Sequence, residues 1–294
     1  MRIGGPVFGD VTDPRALVDY HLRHGFAAAY CPHVEDRVHL EEIKHALAER
    51  NIVIAELGAY CINILDTDPA LREQNITQIC RRLEYAETAE ALCCVIHGGT
   101  IETGGWGKAN PENVSRAAFD MTVAIIQRIL DTVKPIKTKL VVEATSWLLP
   151  DSPEVYRELL KAVDRPGFGV HLDPVNILGN PRACYENGKI IRRCFELLGP
   201  HIVSCHSKDV LLRSVYLPID ITETYTGQGM LDYDVYLSRL SQLTHDPPLM
   251  IEHLQAADLD SAADFLLDKT RQLGIQVVHA DKRVKPGVPA SSGA

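Results

Sequence analysis

Eight short apolar runs, each followed by a longer amphipathic segment, recur along almost the whole chain, and this alternation limits the fold more than any other feature. The runs cover residues 2–5, 26–31, 52–58, 92–97, 140–143, 168–173, 202–206 and 249–252. Each has the length of a strand and is too continuous for one that faces solvent, so burial on both faces is expected. Helical patterns fill the intervals at about 13–24, 35–50, 69–90, 111–133, 152–164, 182–199, 232–244 and 258–274. Asp13-Pro14, Asn110-Pro111 and Ser152-Pro153 each set a capping side chain before a first-turn proline, while Gly25 and Gly274 stand where helices should stop. Eight such units, with no G-x-G-x-x-G or Walker pattern, predict an α/β fold, a single (β/α)8 TIM barrel over residues 1–276. From 277 to 294 the periodicity fades and Pro, Gly and Ser accumulate. This stretch is expected to be a tail, flexible or packed on a neighbouring subunit.

Thirty Lys and Arg against thirty-nine Asp and Glu leave a net charge of −9, which argues against nucleic acid or an anionic membrane surface as partner. The first residues lack the basic stretch and apolar run of a secretory signal, and no apolar run approaches the roughly 20 residues of a membrane span. A cytoplasmic location is therefore expected. The eight cysteines form no C-x-x-C pair and five sit in apolar runs, so they read as reduced core thiols, with Cys93 and Cys94 on opposite faces of one strand.

A barrel of this kind does its chemistry at the carboxyl ends of its strands, so the polar residues that end the apolar runs matter most. His97, Glu143, Asp173, His206 and Glu252 end runs four to eight. Three carboxylates converging on one mouth would repel one another, and a divalent cation removes that conflict. Glu143, Asp173, His206 and Glu252 thus form a predicted ligand set for one divalent cation. Three carboxylates and one imidazole suit Mn²⁺ first, with Mg²⁺, Co²⁺ or Zn²⁺ also able to bind.

The order Glu, Asp, His, Glu at these strand ends, with H-L-D-P-x-N around Asp173 and H-x-K-D around His206, resembles the xylose-isomerase-like barrels known as sugar phosphate isomerases/epimerases. Gly227-Gln228-Gly229 followed by Leu231-Asp232-Tyr233 is similar to that family's G-x-G turn. The resemblance covers roughly residues 1–275. In the ketose 3-epimerase branch the two glutamates also act as the acid/base pair, a role that the resemblance places on Glu143 and Glu252. One position departs from that branch: some members carry histidine three residues after the strand-six aspartate, where this chain has Asn176. Asparagine can donate to a substrate oxygen but cannot shuttle a proton at neutral pH.

Further residues near the strand ends are candidates for substrate contact: His97, His171, Asn176, Lys208 and Arg213, with Glu56 at the end of the third run. Trp106 and Trp147, on the loops after runs four and five, can stack on a sugar. The expected substrate is a small carbohydrate, keto-sugar or related hydroxy-ketone. A metal in an incomplete protein shell polarises the carbonyl and acidifies the adjacent C–H, giving an enediolate from which epimerisation or isomerisation follows. The alternative is a lyase, dehydratase or decarboxylase, or a 3-keto-glycoside-cleaving enzyme, using the same site. Tyr60, Trp106, Tyr216 and Tyr225 on the active-face loops point to a homo-oligomer, a dimer or tetramer.

Overall fold

The computed structural model describes residues 1–213 and 219–282. Its first seven strands are β1 (Ile3–Gly5), β2 (Ala28–Tyr30), β3 (Val53–Gly58), β4 (Cys93–His97), β5 (Lys139–Glu143), β6 (Phe168–Leu172) and β7 (Ile202–Ser207). A hairpin, β8 (Asp209–Arg213) with β9 (Asp220–Thr224), comes before the last barrel strand, β10 (Leu249–Ile251). The barrel closes in the order β1, β10, β7, β6, β5, β4, β3, β2, with every neighbouring pair parallel. All eight expected runs are strands of this closed barrel.

The helices are α1 (Pro14–His24), α2 (Arg37–Glu49), α3 (Pro69–Ala89), α4 (Arg116–Val133), α5 (Pro153–Val163), α6 (Pro181–Tyr185), α7 (Asn187–Leu198), α8 (Tyr233–Leu240) and α9 (Leu259–Gln272). The start signals act as expected: Asp13 accepts from Arg15 N and Ala16 N, and Ser152 accepts from Val155 N. Gly25 ends α1 in the left-handed conformation at φ 72°. Two expected helices are each divided. The stretch 111–133 becomes a 3-10 turn at Pro111–Val114 followed by α4, because Ser115 caps a new helix by accepting from Ala118 N. The stretch 182–199 breaks at Glu186, where the Asn187 side chain donates to Cys184 O and Met230 O and so diverts it from the helical pattern.

Alternation along the strands sorts the apolar side chains into two environments. One large cluster lies between barrel and helices, and two smaller ones, around Ala28, Ala55 and Met250 and around Cys93, Val95 and Val141, lie apart from it. Cys94 belongs to the large cluster and Cys93 to a small one, so the vicinal thiols do face opposite ways. All eight cysteines are free.

The sequence pattern held no sign of the β8–β9 hairpin, which is antiparallel and separate from the barrel. Its first strand, DVLLR, follows β7 after a single residue and reads as a loop once one strand per unit has been assigned. Of the expected tail, Val278 bridges to Arg2 and donates to Met1 O at 2.9 Å, and Ala280 is buried. Residues 283–294 and Tyr216 lie outside the described residues. Among the described residues no helix is long and apolar enough to cross a membrane.

Candidate metal centre

Glu143 is the last residue of β5, Asp173 follows β6, His206 is the penultimate residue of β7 and Glu252 follows β10. Each is therefore delivered to the same rim by a buried strand. One ligand atom from each of the four lies within 4.8 Å of the others. His206 Nδ1 is 2.9 Å from Glu252 Oε2, 3.4 Å from Glu143 Oε1 and 3.7 Å from Asp173 Oδ2. All four side chains are buried, Glu252 the least at 9% exposure.

Two helix tyrosines brace the ladder beneath these residues. Tyr156 of α5 places its hydroxyl between β5 and β6, accepting from Val142 N and His171 N and donating to Val142 O. Tyr236 of α8 donates to His206 O at 2.9 Å and lies 3.4 Å from Leu172 O. Both are fully buried, so the strand ends carrying Glu143, Asp173 and His206 are fixed from outside the barrel.

Below the rim lies a second polar layer. Glu56 Oε1 accepts from His206 Nε2 at 2.8 Å, and Oε2 accepts from Ser204 Oγ at 2.8 Å and from His171 Nε2 at 3.1 Å. This bond gives the His206 Nε2 proton a fixed acceptor and turns Nδ1 toward the three carboxylates, the usual carboxylate–histidine arrangement behind a metal. Glu56, a candidate for substrate contact, lies two residues before the end of β3 at Gly58, buried inside the barrel, and supports His206. His171 is likewise enclosed, its ring 4.0 Å from that of His206, and holds this layer rather than reaching the mouth.

Burial works against every charge in the cluster, yet mutual attraction prevails. Desolvation pushes the Glu143 carboxyl up, but the charge of His206 and the hydrogen bonds from His206 and His97 hold it well below the usual carboxylate range. For Asp173 the charge of Lys208, aided by His206, outweighs burial and lowers it. Glu56 is lowered by His206 and His171 against the same penalty. Desolvation disfavours the His206 imidazolium, but Glu252 and Glu56 raise its pKa well above the ordinary histidine range. A cation bound at Nδ1 would take the place of that proton.

The donor set fits a divalent ion on an observation independent of residue type. Asp173 Oδ2, His206 Nδ1 and Glu252 Oε1 are buried and lack hydrogen-bond partners, and all three belong to the predicted ligands. Lys208 Nζ stands 2.8 Å from Asp173 Oδ2 and 2.7 Å from Glu252 Oε1, as ion pairs without hydrogen-bond geometry. Buried polar atoms held by charge alone leave lone pairs that a bound cation can engage.

The remaining candidates divide between contact and support. Asn176 Nδ2 donates to Glu143 Oε1 at 2.6 Å, which uses one of its two amide hydrogens. His97 Nδ1 accepts from Cys61 N at 3.4 Å, which leaves Nε2 as a donor 3.5 Å from Glu143 Oε2. The His97 ring lies between Tyr60 and Trp106, with centroids 5.2 and 4.4 Å away, and Tyr60 Oη and Trp106 Nε1 are buried without partners. Gly98 must lack a side chain, because a Cβ there would lie 1.9 Å from Leu149 O where the loop after β5 crosses behind His97. Trp147 stands 44% exposed on that loop. Arg213 falls at the far end of β8, about 16 Å along the strand from Lys208 at the usual rise per residue, and stays out of the cluster.

Sequence reasoning passed over Ser204, Glu223 and His253. Ser204 could have been found from its spacing, two residues before His206 on the inward face. Glu223 depends on the unpredicted hairpin: Oε2 is 3.1 Å from Lys208 Nζ and Oε1 accepts from His253 Nδ1 at 2.7 Å. The hairpin's base is held by Asp209, which accepts from Gly227 N and Leu231 N. A Cβ on Gly229 would lie 2.3 Å from Asp209 Oδ1, which explains the glycine in that turn.

A family model described as xylose isomerase-like TIM barrel matches residues 21–269. The chain belongs to this family. Solved barrels of proteins with different activities share the fold. The probable 3-DHS dehydratase AsbF of Bacillus anthracis is 18% identical with a TM-score of 0.68, covering 91% of this chain and 99% of that one. D-psicose 3-epimerase of Clostridium cellulolyticum, solved with D-tagatose, is 12% identical with a TM-score of 0.67, at 93% and 99% coverage. Endonuclease IV of Thermus thermophilus is 14% identical with a TM-score of 0.69, at 92% and 100% coverage. A comparison with curated proteins found no match. At these identities the likeness establishes the fold, and within the xylose isomerase-like family reaction type has to be argued from the site.

Proposed function

We propose that this chain is a divalent-metal-dependent isomerase or epimerase of a sugar, keto-sugar or related hydroxy-ketone. The observation that carries this reading is the convergence of Glu143, Asp173, His206 and Glu252 within 4.8 Å, with three of their buried atoms lacking hydrogen-bond partners. A divalent ion held by these four would polarise a substrate carbonyl and ease removal of the neighbouring proton. Mn²⁺ is the first choice for three hard carboxylates and one imidazole, and Mg²⁺, Co²⁺ and Zn²⁺ are compatible.

The protein groups then divide the proton transfer. Glu143, ionised and held by Asn176 and His97, removes the proton beside the carbonyl and leaves an enediolate. Glu252, which takes up a proton from water, returns it on the other side, and the proton held by Glu143 passes to water. Tyr60 Oη and Trp106 Nε1 offer unused donors to substrate hydroxyls, while the Trp106 and Trp147 indoles offer stacking faces. The sugar substrate class is supported by the epimerase with D-tagatose among its structural neighbours. A cytoplasmic location agrees with eight free cysteines, and dimer or tetramer assembly through the active-face loops is part of the same reading.

The test is proton exchange. Metal-loaded protein in D₂O is offered ketoses, keto-acids and their phosphates, and C–H exchange is followed by NMR. Exchange that disappears on chelation supports the reading; metal uptake without exchange in any hydroxy-ketone refutes it. A dehydratase is the second reading, favoured by Lys208, whose buried ammonium can protonate a departing hydroxyl. Loss of water from a keto substrate, followed by mass spectrometry, distinguishes the two. Light scattering that finds only monomer at micromolar concentration would remove the assembly proposal.

A further inference from the structure

Lys208 has an unusual position for a lysine. Its side chain is 1% exposed, and its ammonium faces three carboxylates: Asp173 at 2.8 Å, Glu252 at 2.7 Å and Glu223 at 3.1 Å. Two of these, Asp173 and Glu252, belong to the metal-ligand set, and the atoms contacted are Asp173 Oδ2 and Glu252 Oε1, both without hydrogen-bond partners. The third, Glu223, comes from the hairpin strand β9 and is 38% exposed, outside the ligand set, with its other oxygen held by His253. The third carboxylate of the ligand set, Glu143, forms no ion pair with Lys208 among the described residues.

We propose that Lys208 is a resident placeholder for the metal, its ammonium holding the two carboxylates together until a divalent ion displaces it onto Glu223. A buried lysine is stable only while paired, so it needs a second anion wherever it goes. Glu223 already lies in contact range, and the His253 bond keeps that carboxylate aimed at Lys208. The charges favour exchange: a dication close to an ammonium in a buried site is repelled, whereas the same dication gains when the ammonium retreats to an outer carboxylate. Metal affinity in this protein is thereby set in part by a competition between two cations for the same oxygens.

This inference rests on the metal reading above and is tested by binding, without turnover. Metal-stripped wild type, Lys208→Met and Glu223→Gln are titrated with MnCl₂ by calorimetry at mildly alkaline pH, where protons compete little for the carboxylates, and their melting is followed with and without Mn²⁺. Lys208→Met keeps the length and removes the competitor, so it should bind Mn²⁺ about 10-fold more tightly, the scale of groups just outside a metal's ligands. It should also melt lower than wild type when stripped and regain that loss when loaded. Glu223→Gln removes the receiving anion and should bind Mn²⁺ about 10-fold more weakly. Equal or weaker binding by Lys208→Met overturns the proposal and makes Lys208 a simple support for the ligands. If that variant does not fold, unchanged affinity in Glu223→Gln overturns it instead. Failure of wild type to take up Mn²⁺ or Mg²⁺ removes the metal reading together with this one, whereas uptake by wild type with no change in either variant removes this one alone.

Discussion

Glu143 accepts a directional hydrogen bond from Asn176 and has His97 3.5 Å away, whereas Asp173 and Glu252, from the ends of β6 and β10, face the ammonium of Lys208. The first arrangement orients a carboxylate and leaves its negative charge largely intact. The second neutralises charge and orients weakly, since the ion pairs lack hydrogen-bond geometry. A base benefits from the first environment, and a group that exchanges one cation for another benefits from the second. His206 joins the two sides through Nδ1 and is steadied from below by Glu56.

The largest expected effect tests whether both flanks do proton chemistry. Glu143→Gln and Glu252→Gln keep size and one acceptor, and each should lower kcat by about 10²–10⁴ even when excess Mn²⁺ restores occupancy. Full recovery of both with metal would make them ligands only, and the contrast between the flanks would lose its chemical meaning.

Asp173→Asn should behave differently, losing at least about 100-fold in metal affinity, more than a supporting group costs, with kcat largely restored by saturating metal. A loss of kcat that added metal does not repair would move Asp173 into the acid/base machinery. Calorimetry and turnover measured over the same metal range separate these outcomes.

Glu56→Gln probes the joint between the flanks. An amide offers only one acceptor to His206, Ser204 and His171, so the ring of His206 loses its fixed orientation, and metal affinity should fall by about 10–100-fold. Asn176→Ala is the smallest of the four. Removing one 2.6 Å hydrogen bond from Glu143 should lower kcat by about 10-fold, the order of one buried bond, while metal affinity hardly changes. If it were metal affinity that fell instead, Asn176 would be placing Glu143 as a ligand more than as a base.

These variants also mark the limit of what a linear reading could locate. The four rim residues were legible because a buried strand must be apolar until it reaches the mouth, so an ionisable residue at the end of each run stands out without any knowledge of its neighbours. Glu56 was legible as a candidate near the end of the third run, but its bonds to His171 and His206, 115 and 150 residues away, were not deducible from spacing. Asn176 was noted as a departure from histidine, yet its bond to Glu143, 33 residues away, was not deducible from spacing.

The amino-acid order by itself determined the barrel, its eight strands and the side chains at its mouth, since burial, period and capping are local properties that each segment carries. Only the tertiary structure decided who holds whom. Glu56 and His206 are 150 residues apart and meet because the closed barrel brings the third and seventh strands across one interior. Lys208 is adjacent in sequence to the hairpin it pairs with, but its other partners, Asp173 and Glu252, arrive from strands on either side of its own. Pairing energies of buried charges depend on distance and dielectric, and both are set when the barrel closes.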